Sequence, residues 1–437
     1  MKKVLWSLLL AIISLPLMAQ ANHVSVSGNT FVDENGDAII FRGLCASDPV
    51  KLARQKKWNE KYFAEAESWG ANVIRFAVHP ENINNYGWDK TLNLMDEGIG
   101  YAKKHNMYVI IDWHSIGNLK DEKFYRKMYN TSKEETFRFW STVAKRYKDE
   151  PTVALYELFN EPTTTANDVD LGNCTWEELR DLQEQIIDTI RAYNPYAVCL
   201  CAGFDWAYDL RPIKDNPIRR GNIGYVCHPY PMKSEQPWEP KWDEYFGYVT
   251  KTYPVVCTEI GFCLENEKGA HIPVISTEEY GLHLMKYLEE NTASFTVWCF
   301  DVDWAPTLIT DWKFNPSTQG RFFKFYMSNK KKNSRTARIA VTREHYNTMR
   351  VDSEKNKPTP VTEEFTVHVG RNDNCGLNVL DITPIGIIVD FGFQYASNDY
   401  IRGRSFYISE GKTKTFYMTD VYDMHISSTI RVLEIQR

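Results

Sequence analysis

The chain has 437 residues, of which 43% are hydrophobic, 25% charged and 14% aromatic. This suits one barrel-sized globular domain with a small companion. A net charge of −6 without a basic tail argues against a polyanion partner, so no nucleic acid is predicted.

Lys2 and Lys3 precede an apolar run from Val4 to Met18, and Ala19-Gln20-Ala21 offers small residues for cleavage. Residues 1–21 therefore read as a signal peptide, too short for a membrane span and without a stop-transfer flank. Export to the periplasm, the cell surface or the medium is expected, with no membrane span further along. Nine cysteines follow, several inside β-rich runs such as Val255-Val256-Cys257. They read as buried core thiols, because the count is odd and neither CxxC nor zinc-type spacing occurs. No metal and no cofactor are predicted.

The expected mature start is a hairpin, with turns at Gly28-Asn29 and Asn35-Gly36, and a first strand at 38–43. Seven further strands are predicted at 72–77, 108–113, 153–159, 197–201, 223–227, 255–259 and 295–300. Amphipathic stretches separate most of them, for example 133–148 and 175–193. Alternation of this kind predicts a parallel sheet with right-handed crossovers, and eight repeats predict a (β/α)8 TIM barrel over residues 22–328. An open doubly wound sheet is the alternative. Residues 329–360, with the basic run Lys330-Lys331-Lys332, read as a linker or irregular segment. Short alternating runs at 365–369, 386–391, 405–409, 415–418 and 428–435 predict a small all-β C-terminal domain over 361–437.

A barrel enzyme works at the C-terminal ends of its strands. There the second strand delivers Arg75, the third His114, and the fourth Asn160 and Glu161. The sixth is followed by His228 and Tyr230, the seventh ends in Glu259, and the eighth contains Trp298. Strands four and seven face each other across an eight-stranded ring, so two carboxylates reach toward one bond. Cleaving a glycosidic bond needs such a pair, one to protonate the leaving oxygen and one to attack or to activate water. Pro162 after Glu161 stops the strand and fixes the turn. Taken singly, each of these residues is commoner as a satisfied structural group, and their joint placement is what points to a site. Metal hydrolysis is the weaker reading, since HxH and HExxH spacings are absent and Arg75 would compete with a cation.

The set Arg75, His114, Asn160-Glu161, His228, Tyr230, Glu259 and Trp298 resembles glycoside hydrolase family 5, the cellulase family of two-glutamate barrels. The likeness covers about residues 22–328. It implies Glu161 as acid/base and Glu259 as nucleophile of a retaining reaction. It also implies that Arg75 and Tyr230 bond Glu259, Asn160 bonds the sugar 2-hydroxyl, and His228 tunes Glu161. His114 would line the same subsite and Trp298 would stack beneath the ring. A cation beside Glu259 is expected to lower its pKa. The implied substrate is a β-linked polysaccharide, with endo-β-1,4-glucan favoured over mannan. A non-catalytic glycan-binding protein is the alternative of another class. Trp113, Trp206, Trp238 and Trp304 are candidates for extending the cleft, and loops 115–130 and 231–243 for closing it.

Overall fold

Eight parallel strands close into a ring whose order around the barrel is their order in the chain. They are β1 (Arg42–Ala46), β2 (Val73–Val78), β3 (Tyr108–Trp113), β4 (Val153–Glu157), β5 (Val198–Ala202), β6 (Ile223–Val226), β7 (Val255–Ile260) and β8 (Ser294–Val297). The computed structural model describes residues 23–166, 169–331, 335–347, 359–383, 386–394, 400–419 and 424–436. The segment 1–21, read as a signal peptide, lies outside these residues. Among the described residues no helix is long and apolar enough to cross a membrane.

The strands are apolar almost throughout, as in VIRFAV of β2 and VVCTEI of β7, and every residue of these two is buried. Continuous apolar runs suit strands covered on both faces. The outer faces carry Ile74, Phe76, Val109, Ile111, Tyr156 and Cys257 into a large cluster shared with the helices. The inner faces carry Val73, Ile110, Leu155, Val198, Leu200, Val226 and Val256. Helix starts are chemically marked. Ser132 caps Lys133–Tyr147 by accepting from the Glu135 amide, and Thr175 with Glu178 forms a capping box on Trp176–Arg191.

The first barrel strand begins later than the expected 38–43. Ala38–Ile39 belongs instead to a three-stranded antiparallel sheet with Ser25–Ser27 and Thr30–Val32. The break has a local cause. The Asn72 side chain accepts from the Arg42 amide at 2.8 Å and donates to the Ile40 carbonyl at 2.9 Å, and so replaces a strand partner at the bend. Val24, Phe31 and Phe41 from this region join the inner barrel cluster.

The C-terminal part holds two four-stranded antiparallel sheets. One is ordered β10 (Val361–His368), β9 (Thr336–Asn347), β16 (Met424–Gln436) and β15 (Thr413–Thr419). The other runs β11 (Gly370–Asn372), β12 (Leu377–Thr383), β13 (Gly386–Gln394) and β14 (Tyr400–Ser409). Ile339, Val341, Val367, Val379, Val389, Ile408, Ile430 and Val432 fill the space between them. The segment 329–360 is therefore not irregular throughout. Helix Thr318–Lys331 runs into it, and β9 supplies a central strand. Ala337, Ile339 and Val341 alternate inward there, a period-two signal masked by the intervening Arg338, Thr342 and Arg343. Arg42 at the start of β1 pairs with the buried Asp381 of β12, tying this part to the barrel end opposite the strand C-termini.

Close strand approach constrains β1. A Cβ on Gly43 would lie 1.8 Å from the Val73 carbonyl oxygen, which is backbone and cannot yield. Gly43→Ala is expected to cost about 3 kcal/mol or more by overpacking, read as a fall in the urea midpoint. An unchanged midpoint would contradict this packing.

Candidate active site

Arg75 lies at the centre of the site, fully buried on β2. Its Nε donates to Glu157 Oε2 at 2.6 Å and its Nη2 to Glu157 Oε1 at 2.9 Å, a bidentate pair. Nη1 donates to Glu259 Oε1 at 2.9 Å, Nη2 also to Asn160 Oδ1 at 2.8 Å, and Asp112 Oδ2 stands 3.0 Å away. Burial opposes the guanidinium charge, but the surrounding acids, Asp112 and Glu157 first, hold it well above its usual pKa.

Glu259 owes its aim to a bulge. Val256 and Thr258 face the barrel interior, so strict alternation would turn Glu259 outward. The β7–β8 register shifts between Cys257 and Ile260, and the extra residue brings Glu259 into the cleft. There it also accepts from the Tyr230 hydroxyl at 2.9 Å. Burial pushes the Glu259 carboxyl above its ordinary value, against the lowering by His228, Arg75 and the Tyr230 hydroxyl. The expected net lowering by Arg75 is thus reversed. The reason is physical: Arg75 divides its charge among Glu157, Asp112 and Glu259, and Glu259 is itself buried.

Glu161 follows β4 and is pinned by backbone bonds. The Asn160 amide donates to the Trp113 carbonyl at 3.1 Å and the Glu161 amide to the Ser115 carbonyl at 3.1 Å. Glu161–Pro162 then pairs in parallel with Ile116–Asn118, so part of the 115–130 loop is a small sheet that holds the acid in place. His228 Nδ1 lies 2.9 Å from Glu161 Oε1. Burial pushes the Glu161 carboxyl up to about 8, against the pull of Lys233 and Arg75. Burial likewise brings the His228 imidazole down to about 4. The two glutamates therefore sit in unlike surroundings, one against a neutral imidazole and one between a cation and a phenol.

All eight predicted residues come together. Oxygens of Glu161 and Glu259 and a nitrogen of His228 lie within 4.8 Å of one another. His114 has Nδ1 2.6 Å from Asp112 Oδ2, and its ring stacks on Trp298 at 5.2 Å and 5°. Asn160 spends its oxygen on Arg75, and its buried Nδ2 has no protein partner. These groups open onto a cleft of about 620 Å³ lined also by Tyr129, Trp206, Met232 and Ile272.

Of the four further tryptophans, Trp206 lines this cleft and Trp304 stacks behind Trp298 at 6.1 Å. Trp113 and Trp238 do not extend it. Trp113 is buried against Phe139 with its Nε1 bonded to Thr136, and Trp238 packs on Trp242 and Tyr280. Sequence reasoning gave no role to Asp112, Glu157 or Thr258, which form the floor of the site. Their signal is weak, since a polar residue inside a strand pattern shows neither its face nor its partner. Tyr125 and Tyr129, which also line the cleft, arise from loop residues that carry no periodic pattern.

Residues 32–303 match the family described as cellulase, glycosyl hydrolase family 5. A β-glucanase of Saccharophagus degradans, solved in complex with cellotetraose, is 43% identical with a TM-score of 0.70, over 72% of this chain and 95% of that one. Endoglucanase A of Butyrivibrio fibrisolvens is 28% identical over 47% of this chain and 45% of its own length. A cellulase of a Thermoanaerobacterium species is 30% identical over 51% and 56% respectively. The chain thus spans about half the length of these curated relatives.

The central cation is open to test. Arg75→Met leaves Asp112, Glu157 and Glu259 facing one another without it. Breaking such a buried pair costs about 3–5 kcal/mol, and the loss should shrink as pH falls and the carboxyls protonate. Thermal melts of both proteins across the acid range would show this, and a pH-independent difference would contradict it.

Proposed function

The chain belongs to the cellulase family, glycosyl hydrolase family 5, and from that premise we propose that it is a retaining, endo-acting hydrolase of β-1,4-linked glucan. The observation that carries the reading is the pair of glutamates, with one oxygen of each inside 4.8 Å and unlike hydrogen-bond partners. Retaining enzymes hold their carboxyl groups roughly 5–5.5 Å apart, whereas inverting ones leave about 6.5–9.5 Å for a water.

In the first step Glu259 attacks the anomeric carbon. The bond to the leaving oxygen breaks, and that oxygen takes the proton of Glu161. Arg75 and Tyr230 hold Glu259 ionised and aimed during the attack. In the second step Glu161 takes a proton from water, whose oxygen displaces Glu259 from the anomeric carbon. The unpaired Asn160 Nδ2 suits the hydroxyl next to the anomeric carbon, a contact that strengthens as positive charge develops on the ring. Trp298, backed by His114 and Trp304, offers a flat apolar face to the sugar.

Glucan as the polymer is supported by the likeness to the β-glucanase and to relatives named as endoglucanases. The N-terminal pattern supports export, with a mature protein starting near residue 22. N-terminal sequencing of secreted material checks this, and a retained Met1 would overturn it.

Three results test the chemistry. Proton NMR of early cello-oligosaccharide hydrolysis should show the β-anomer first, and initial α-product would overturn retention. The kcat/KM of an aryl β-cellobioside should fall as pH rises through about 8, where Glu161 loses its proton. Glu161→Gln should abolish that descending limb. Glu259→Ala should lower activity by about 10⁴-fold or more, as loss of a nucleophile does. Faster turnover on mannan than on glucan would overturn the substrate assignment alone.

A further inference from the structure

We propose that Thr258 is a positioning residue that fixes the tautomer of His228 and thereby keeps the catalytic proton on Glu161. The inference rests on the reading of Glu161 as acid/base.

Directed hydrogen bonds run outward from Arg75. Both Glu157 oxygens accept from the guanidinium, so this side chain is an acceptor only. The Thr258 hydroxyl has one proton and donates it to Glu157 Oε1 at 2.9 Å. Toward His228 Nε2, 2.9 Å away, Thr258 Oγ1 can then only accept, so Nε2 must carry a hydrogen. The imidazole is fully buried and brought down to about 4, so at neutral pH it holds a single proton. Nδ1 is therefore bare, and the bond to Glu161 Oε1 at 2.9 Å exists only if Glu161 donates. The opposite tautomer leaves Nε2 bare, so the Thr258 hydroxyl would turn toward it and Glu157 would lose that donor, with the bare nitrogen unable to donate in its place.

Other groups face this pair. Lys233, Arg75, Glu157 and Asp205 act on Glu161, and Glu259, Arg75, Glu157 and Lys233 act on His228, with His114 and Tyr129 close by. Apart from Arg75 and Glu157, none of them belongs to the directed chain that selects the tautomer. The same arrangement serves both half-reactions. Once Glu161 has protonated the leaving oxygen, a bare nitrogen faces a carboxylate. That contact favours recovery of a proton from the attacking water.

The test uses the whole enzyme with ¹⁵N-labelled histidine, His228 being assigned by comparison with His228→Gln. Long-range proton–nitrogen spectra at neutral pH should show the hydrogen on Nε2. Thr258→Val keeps the side-chain shape and removes the hydroxyl. It should populate the Nδ1–H form and move the descending limb of kcat/KM down by about one pH unit, while Thr258→Ser restores both. A wild-type hydrogen on Nδ1 would overturn the proposal even if Thr258→Val fails to fold. A folded Thr258→Val with unchanged tautomer and limb would also overturn it. The tautomer is read without substrate, so the two readings separate. A descending limb that persists in Glu161→Gln overturns the acid/base role, and with it the catalytic half of the proposal, whatever the tautomer.

Discussion

One buried guanidinium organises the bottom of the cleft. Arg75 touches Glu157, Glu259, Asp112 and Asn160, and through Glu157 it orients Thr258 and His228. One guanidinium, even with Lys233 acting on Glu161, cannot keep four nearby buried carboxyls ionised, because each buried charge carries a desolvation penalty. Contact with the guanidinium is direct for Glu157, Glu259 and Asp112, and absent for Glu161. Asp112 and Glu161 are left where burial favours the protonated form. Glu259 thus accepts from Arg75 and Tyr230, whereas Glu161 meets His228, so the two glutamates sit in unlike surroundings.

The barrel supplies this arrangement by small departures from regularity. A bulge in β7 turns Glu259 inward beside Thr258, so that adjacent residues both serve the site. The chain after β4 leaves the barrel ladder and pairs with the loop after β3, which fixes Glu161 against that backbone. Each device positions a carboxylate without placing it on a mobile loop tip, which is what a constellation needing sub-ångström placement requires. The C-terminal sheets attach at the other end of the barrel through Arg42 and Asp381, remote from the cleft.

Much of this was legible in the chain. Apolar runs punctuated by amphipathic stretches marked eight strands, and the eight predicted residues, singled out at strand ends against such runs, come together in space. Three things were hidden. The strand at Ala38–Ile39 looked continuous with β1, since the break depends on the distant Asn72 side chain. The strand Thr336–Asn347 looked like linker, because its outward charges outweighed its inward alternation. Glu157 and Thr258 looked unassigned, because a directed hydrogen-bond chain is a property of three dimensions. The net pKa of Glu259 was misjudged for a related reason: sequence shows a cation nearby but not how many carboxyls share it.

The central claim is that Glu259 forms a covalent bond to the sugar while Glu161 supplies the proton. It is tested most directly by incubating the enzyme with a 2-deoxy-2-fluoro-β-cellobioside bearing a good leaving group, then mapping peptides by mass spectrometry. The account predicts one added fluoroglycosyl group per chain, on the peptide containing Glu259, and none in Glu259→Ala. Turnover without an adduct, or an adduct on Glu161, would contradict it.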